Sequence, residues 1–218
     1  MFLARPNRFT AQIDINGTKV VAHVKNTGRC KELLVQNTKV ILQKSDIPKR
    51  KTGYDLIAVW KNRQLINIDS QIPNKVFLEY LQSGRHIEGI TLIKPEVKYC
   101  SSRFDFYVEA GERKIFVEVK GVTLEENGVV MFPDAPTERG VKHLSELIMC
   151  TKEGYEAQIV FVIQMSNVRY FTSNNRTHPA FGETLIAAKK AGVKIIALDC
   201  VITENTLEIG KAVPVKLS

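Results

Sequence analysis

The sequence predicts an α/β (α+β) chain in which a small N-terminal OB-like β-barrel precedes a mixed-sheet domain with helices packed on it. Three observations carry this expectation. Residues 1–70 alternate apolar and polar positions in short runs broken by turn residues. From residue 71 onward, apolar runs at helical spacing alternate with strand-like runs, the pattern of helices layered on a sheet. No repeat, low-complexity tract or long linker interrupts the chain, so two closely packed parts are expected, 1–70 and 71–218.

Phe9, Ala11, Ile13 and Ile15 share one face of a first strand, Asn16-Gly17 makes the turn, and Val20, Ala22 and Val24 return. Asn-Gly suits a tight hairpin because both central residues of a type I′ turn need positive φ. RCKELLV reads as a short helical piece; KVILQ, DLIAVW and QLINID read as strands, the last two joined through Asn62-Arg63. About five short strands and one small helix fit an OB-fold, and an SH3-like barrel gives much the same pattern. The period changes at Pro73: in PNKVFLEYLQSG, Asn74 is placed to cap, Val76, Phe77, Tyr80 and Leu81 recur at helical spacing, and Gly84 follows the end. Then come a strand (ITLIKPEVKY), a hairpin over 102–124, a helix over 136–153, a strand (AQIVFVIQ), a helix over 179–190 and a strand (VKIIALD).

The formal net charge is +8, from 31 Lys and Arg against 23 Asp and Glu, which favours a polyanionic partner such as nucleic acid or an acidic membrane surface. Cys30, Cys100, Cys150 and Cys200 form no C-x-x-C pair and have no histidine at zinc spacing, so reduced thiols in a cytoplasmic setting are expected. MFLARPNRF is too short an apolar run for a secretory signal, and IVFVI falls far below the roughly 20 residues of a membrane helix. A soluble, intracellular protein with no membrane partner is therefore expected. Neither G-x-x-x-x-G-K-[ST] nor G-x-G-x-x-G is present, which argues against an NTPase or a dinucleotide enzyme.

The chemistry concentrates in SRFDFYVEAGERKIFVEVKGVTL, residues 102–124. With Gly111-Glu112 as a two-residue turn of type II′, Ala110 faces Arg113 and, by the same register, Asp105 faces Glu118. Directly opposed like charges repel, so a positive group should sit between them. Strand alternation gives Glu118 and Lys120 one face and leaves Val117, Val119, Phe104 and Phe106 to cover the other. Two converging carboxylates suit a hard divalent cation, Mg²⁺ or Mn²⁺, which takes one or two carboxylates plus phosphate oxygens. A neighbouring lysine can orient or help deprotonate the attacking water and stabilise charge on the phosphate. A solvated ladder of charges that also includes Arg103 is the competing reading. The apolar flanks IFV and GV count against it, because an ordinary edge strand is not so apolar.

Asp105 followed by Glu118-Val119-Lys120 is similar to the D...E-x-K core of the PD-(D/E)XK nuclease superfamily. Taken with SRFDF, VEVKGVTL, FPDAPTERGVKHLSEL and VKNTGRCKELL, the chain resembles the sugar fermentation stimulation protein A (SfsA) family over essentially its full length. The resemblance implies an N-terminal OB-like barrel, a C-terminal PD-(D/E)XK nuclease-like domain, non-specific DNA binding and a regulatory part in maltose metabolism. It places the acidic pair at Asp105 and Glu118 and the lysine at Lys120, with Glu79 as a match for an extra helical acid. Phe104 rather than proline precedes Asp105, a departure from the nominal motif.

In FPDAPTERGVKHLSELI, Val141, Leu144, Leu147 and Ile148 form one stripe, leaving Glu138, Arg139, Lys142 and His143 towards another face. Arg139 and Lys142 are candidates for phosphate contact with Arg103; His143 reads as a polar helix residue. In the barrel, IPKRKTGY supplies Lys49, Arg50 and Lys51 on one loop, with Arg29 near the NTG turn and Tyr54 or Trp60 as stacking faces. Two readings follow. One is a DNA-binding regulator that holds duplex through backbone charge; the other is a Mg²⁺-dependent nuclease working at Asp105, Glu118 and Lys120.

Overall fold

A computed structural model describes residues 1–26, 28–46 and 50–217. Its first sheet is formed by β1 (Phe2–Asn7), β2 (Thr10–Ile15), β3 (Thr18–Val24), β4 (Val40–Lys44), β5 (Tyr54–Lys61) and β6 (Gln64–Asn67). The strand order is β1-β2-β3-β5-β4, with β6 also paired to β5. Ile15 pairs with Thr18 across Asn16 (φ 51°) and Gly17 (φ 84°), both in the left-handed region that the turn demands. Phe2 exchanges backbone hydrogen bonds of 2.8 Å with Asn37 and Thr38, just ahead of β4, so the sheet curls back on itself. Ala11, Ile13, Ala22, Val24, Leu56 and Ile66 fill its interior. RCKELLV is not a helix: it forms one turn, in which Leu33 and Leu34 donate to the Cys30 carbonyl. So short a segment gains too few hydrogen bonds to offset helix nucleation.

The second main sheet contains β7 (Ile90–Tyr99), β8 (Ser102–Ala110), β9 (Arg113–Val122), β12 (Glu156–Ile163), β14 (Lys194–Ile202) and β15 (Leu207–Ala212), in the order β15-β14-β12-β9-β8-β7. The middle strands β9, β12 and β14 run parallel, and the flanking pairs are antiparallel. Helix α1 (Ile72–Gln82) packs against β9 and β15, and α2 (Glu138–Lys152) against β8, β9, β12 and α3 (Pro179–Lys190). A small third sheet joins β10 (Glu125–Glu126), β11 (Val129–Phe132) and β13 (Tyr170–Ser173). Among the described residues, no helix is long and apolar enough to cross a membrane.

Local chemistry accounts for the helix positions. The Thr137 hydroxyl accepts the Gly140 amide at 3.1 Å and caps α2, whose first turn carries Glu138 and whose last carries Lys152, each matched to the helix dipole. Pro73 and Pro179 sit in the first turns of α1 and α3, where a missing N–H costs nothing. Asn74, expected to cap α1, lies inside that helix; its N-cap is Gln71, which makes no side-chain cap bond. The α2 stripe is also rotated from the expected one. Gly140, His143, Leu144, Glu146, Leu147 and Cys150 are buried, whereas Val141 and Ile148 are only half-buried.

The two main parts meet through polar groups as well as a shared core. Gln164 donates its amide to the Asn67 carbonyl, the Asn67 side chain and the Asp69 carbonyl at 3.2, 2.9 and 3.0 Å. Lys61 of the barrel holds the Glu125 carboxylate at 2.6 Å. A Cβ on Gly121 would meet the Pro73 side chain at 2.8 Å and the Gln164 amide oxygen at 2.7 Å. Glycine at that position lets the start of α1 lie against β9 directly after Lys120.

Candidate metal and phosphate site

The hairpin register expected from its turn holds from Ala110↔Arg113 to Phe106↔Val117, with Gly111 at φ 60°. The ladder ends there. Asp105 is not backbone-paired to Glu118; its Oδ2 accepts the Val119 N–H at 2.7 Å and its Oδ1 accepts the Asn74 side-chain amide at 2.7 Å. A carboxylate thus takes the place of a strand partner at the point where β8 leaves β9. Strict alternation fails at the same point: Phe106 packs with Phe77 on the α1 side, whereas Phe104 packs with Phe116 and His143 on the α2 side.

Glu118 lies beneath α2 with 2% of its surface exposed. Its Oε1 receives both Lys120 Nζ and His143 Nδ1, each at 2.5 Å. Its Oε2 is buried and has no hydrogen-bond partner. Burial works to raise the Glu118 pKa, but the His143 hydrogen bond and the Lys120 charge outweigh it and hold the carboxyl below its usual range. Asp105 goes the other way. Burial and then the Glu118 charge push it up to about 6, against the smaller help of the Val119 amide, Asn74 and Lys120. The chain therefore brings two carboxylates together without supplying enough positive charge for both. Among the described residues, no three His, Cys, Asp or Glu side chains form a metal cage. Two carboxylates with one bare oxygen suit an open site, in which a hard cation leaves its remaining positions to water and phosphate.

The expected phosphate contacts divide into two groups. Arg103, Arg139 and Lys142 line one groove of about 400 Å³ with Lys98, Glu96 and His143. Lys98 and Arg103 are cross-strand partners on β7 and β8, and Lys142 reaches the Ser101 carbonyl at 3.2 Å. The Arg103–Glu96 pair, at 3.7 Å with both side chains more than half exposed, neutralises little of this charge. On the barrel, Arg29 and Lys51 are exposed. Arg50 is turned inward: its guanidinium grips both Asp55 oxygens and the Ser45 hydroxyl, so its charge is already satisfied. Lys49 lies outside the described residues. Tyr54 packs against the core, and the Trp60 ring already carries Lys39 at 5.6 Å.

Glu79 does not join the cluster. It is exposed beside Lys75 on a separate cavity of about 400 Å³ between α1, β4 and the β14–β15 turn, because five residues along a helix from Asn74 point it away from Asp105. Asn74 is the α1 residue that reaches the acids. The sequence reading takes Asn74 as a cap and His143 as a polar helix residue. The signal for His143 was present, since positions 140, 143, 144, 147 and 150 fall on one helical face. A third cavity, of about 340 Å³, opens beside Gly121 between Asn26, Gly28 and Ser70 of the barrel and Thr137 and Gln164 of the second part. The barrel therefore borders the neighbourhood of the acids.

This architecture defines a class: an OB domain followed by a mixed-sheet α/β domain that buries a D...E-x-K cluster between helices. Residues 3–68 match the family model described as the SfsA N-terminal OB domain, and residues 71–206 that of the sugar fermentation stimulation protein RE domain. The chain belongs to the sugar fermentation stimulation protein (SfsA) family. It is 60% identical over 216 residues to the sugar fermentation stimulation protein homolog of Desulfitobacterium hafniense, covering 99% of this chain and 94% of that one. The homolog from Clostridium beijerinckii is 58% identical over 216 residues, with 99% and 96% covered. The solved structure of Pyrococcus furiosus SfsA in complex with Ca²⁺ superposes with a TM-score of 0.90 at 30% identity, covering 99% of this chain and 94% of that chain.

Proposed function

We propose that this protein binds DNA without sequence specificity and hydrolyses its phosphodiester bonds with Mg²⁺ or Mn²⁺ at Asp105, Glu118 and Lys120. The observation that carries the reading is the bare, buried Oε2 of Glu118 beside an Asp105 carboxyl raised to about 6. An oxygen left without a donor in the protein interior costs free energy unless something positive meets it. Asp105 and Glu118 would hold the cation. When bound, a divalent cation polarises a phosphoryl oxygen and makes water a better nucleophile. Lys120, tethered to Glu118, presents an ammonium to the phosphate under attack and orients the water. Lys98, Arg103, Arg139 and Lys142 would hold flanking phosphates, a contact that reads no bases. Ca²⁺ bound to the similar Pyrococcus protein supports a hard-cation site in this family. A cytoplasmic setting is part of the proposal, in keeping with four free cysteines.

The basic groove favours a second reading, a DNA-binding regulator without turnover. It shares the phosphate contacts and lacks only cleavage. No residue of the site accounts for a sugar, and a regulatory part in maltose metabolism rests on family kinship alone. The deciding experiment incubates the purified protein with single- and double-stranded DNA and RNA, with Mg²⁺ or Mn²⁺, beside Glu118→Ala and Lys120→Ala variants. Cleavage by the wild type that both variants lose supports the nuclease. Cleavage that persists unchanged in both removes this cluster from the account, and tight binding without cleavage selects the regulator.

A further inference from the structure

His143 has no task in the chemistry above, yet both of its ring nitrogens and its ring face are engaged beside the acids. It is 3% exposed, on the inward face of α2, with Phe104 edge-on to its ring at 6.0 Å. Its Nδ1 meets Glu118 Oε1 at 2.5 Å, and its Nε2 receives the Nε–H of Arg139 at 3.2 Å. A ring nitrogen that accepts from a guanidinium must offer its lone pair, so the imidazole proton belongs on Nδ1, pointing at Glu118. The chain Arg139–His143–Glu118 thus runs from the wall of the basic groove to the buried carboxylate.

The direction of that chain has a consequence. A carboxylate held by one flexible lysine can rotate about its last torsion and exchange its two oxygens. Glu118 Oε1 is instead held by a second donor whose ring is itself fixed by Phe104 and Arg139. Both available donors are spent on Oε1, and Oε2 is left bare. We propose that His143 is a positioning residue: as an Nδ1–H donor held in place through Nε2, it locks Glu118 so that Oε2 is reserved for a divalent cation. Through Nε2 it also fixes Arg139, so the phosphate groove and the cation ligand share one rigid support. The inference rests on the metal-site reading above. It resembles the outer partners of metal ligands, which fix a ligand's orientation and whose loss weakens metal binding roughly 10- to 100-fold.

The test measures Mn²⁺ binding to the full chain by calorimetry or by the EPR signal of free Mn²⁺. His143→Asn places an amide N–H where Nδ1–H stood; His143→Gln and His143→Leu do not. The Asn variant should bind within about three-fold of wild type, and the Gln and Leu variants roughly 10- to 100-fold more weakly. The Gln–Asn contrast keeps the test valid if the Leu variant does not fold. Nitrogen-15 spectra of the wild-type ring should place a proton on Nδ1 and the accepting lone pair on Nε2. Wild-type Mn²⁺ binding that all three variants retain overturns the positioning role and leaves the metal site standing. A proton on Nε2, or an Asn variant as weak as Gln, also overturns it. No Mn²⁺ binding by the wild type overturns both the positioning role and the metal site.

Discussion

Two buried acid clusters, one in the barrel and one in the hairpin, received opposite treatment from the chain. Asp55 meets Arg50 through both oxygens, Lys25 at 3.1 Å and His23 at 3.3 Å, and the Arg50 hydrogen bonds, followed by Lys25, hold its carboxyl down at about 2 against burial. Asp105 and Glu118 share one lysine and one histidine, both spent on a single oxygen. One of their carboxyls is raised to about 6, and one oxygen is bare. Burial is the largest influence on Asp105 and the Arg50 hydrogen bond the largest on Asp55, so the supply of donors overcomes burial in one place and not in the other. An acid that the fold neutralises for itself serves the fold, and an acid left short of positive charge is available to a ligand.

The comparison can be broken by exchanging the roles of the two clusters. The largest expected effect is on catalysis: Glu118→Gln should lower DNA cleavage on the order of 10³-fold, read from initial rates with Mg²⁺, while Asp55→Asn leaves the rate per folded molecule unchanged. Next comes stability. Asp55→Asn strands partly buried cationic groups and should cost about 3 kcal/mol, lowering Tm by roughly 6–12 °C in calorimetry, whereas Asp105→Asn should not lower Tm at neutral pH.

The pH profiles should then run in opposite directions. Asp105 has a raised pKa, so its contribution to stability is complete below about pH 4 and is lost as pH rises through 6. Asp55 has a lowered pKa, so its contribution is complete above about pH 4 and is lost as pH falls towards 2. Asp105→Asn should therefore gain about 2 kcal/mol relative to wild type between pH 4 and 7, and the deficit of Asp55→Asn should shrink below pH 4, both read by urea unfolding. Parallel profiles would defeat the distinction.

A smaller effect separates the arginines. Arg103→Ala and Arg139→Ala should each flatten the dependence of log DNA affinity on log salt by about one unit, while Arg50→Ala, whose charge is consumed by Asp55, should leave that slope alone and lower Tm. The smallest concerns the α2 cap: Thr137→Ala should cost about 1 kcal/mol in chemical unfolding without altering Mn²⁺ affinity.

Much of the fold was legible because its signals are local. Asn16-Gly17 and Gly111-Glu112 set two hairpin registers through their own turn chemistry, and Pro73 and Pro179 marked two helix starts. Strands β11 and β13, four residues each, were missed because so short a run shows no period against its surroundings; they exist by pairing with each other across the chain. RCKELLV has the residues of a helix and too little length for one. At the site, Asp105, Glu118 and Lys120 were visible in the motif, and the structure brings them together. Arg50 was misjudged because a basic run gives no sign of an acid waiting five residues on. Asn74 and His143 were misjudged because capping preference and polarity are single-residue signals, whereas both residues are placed by where a buried carboxylate ends up.

Gln164 is 2% exposed, and its amide reaches three oxygen atoms of the barrel's final strand and exit. The two parts are consequently poor candidates for exchange between proteins. A foreign barrel that lacked the Asn67 side chain and set those two carbonyls elsewhere would leave a buried amide bare beside Gly121, next to the E-x-K strand. The seam makes barrel and sheet a matched pair, so a swap that looks harmless at the surface would be felt first at Lys120.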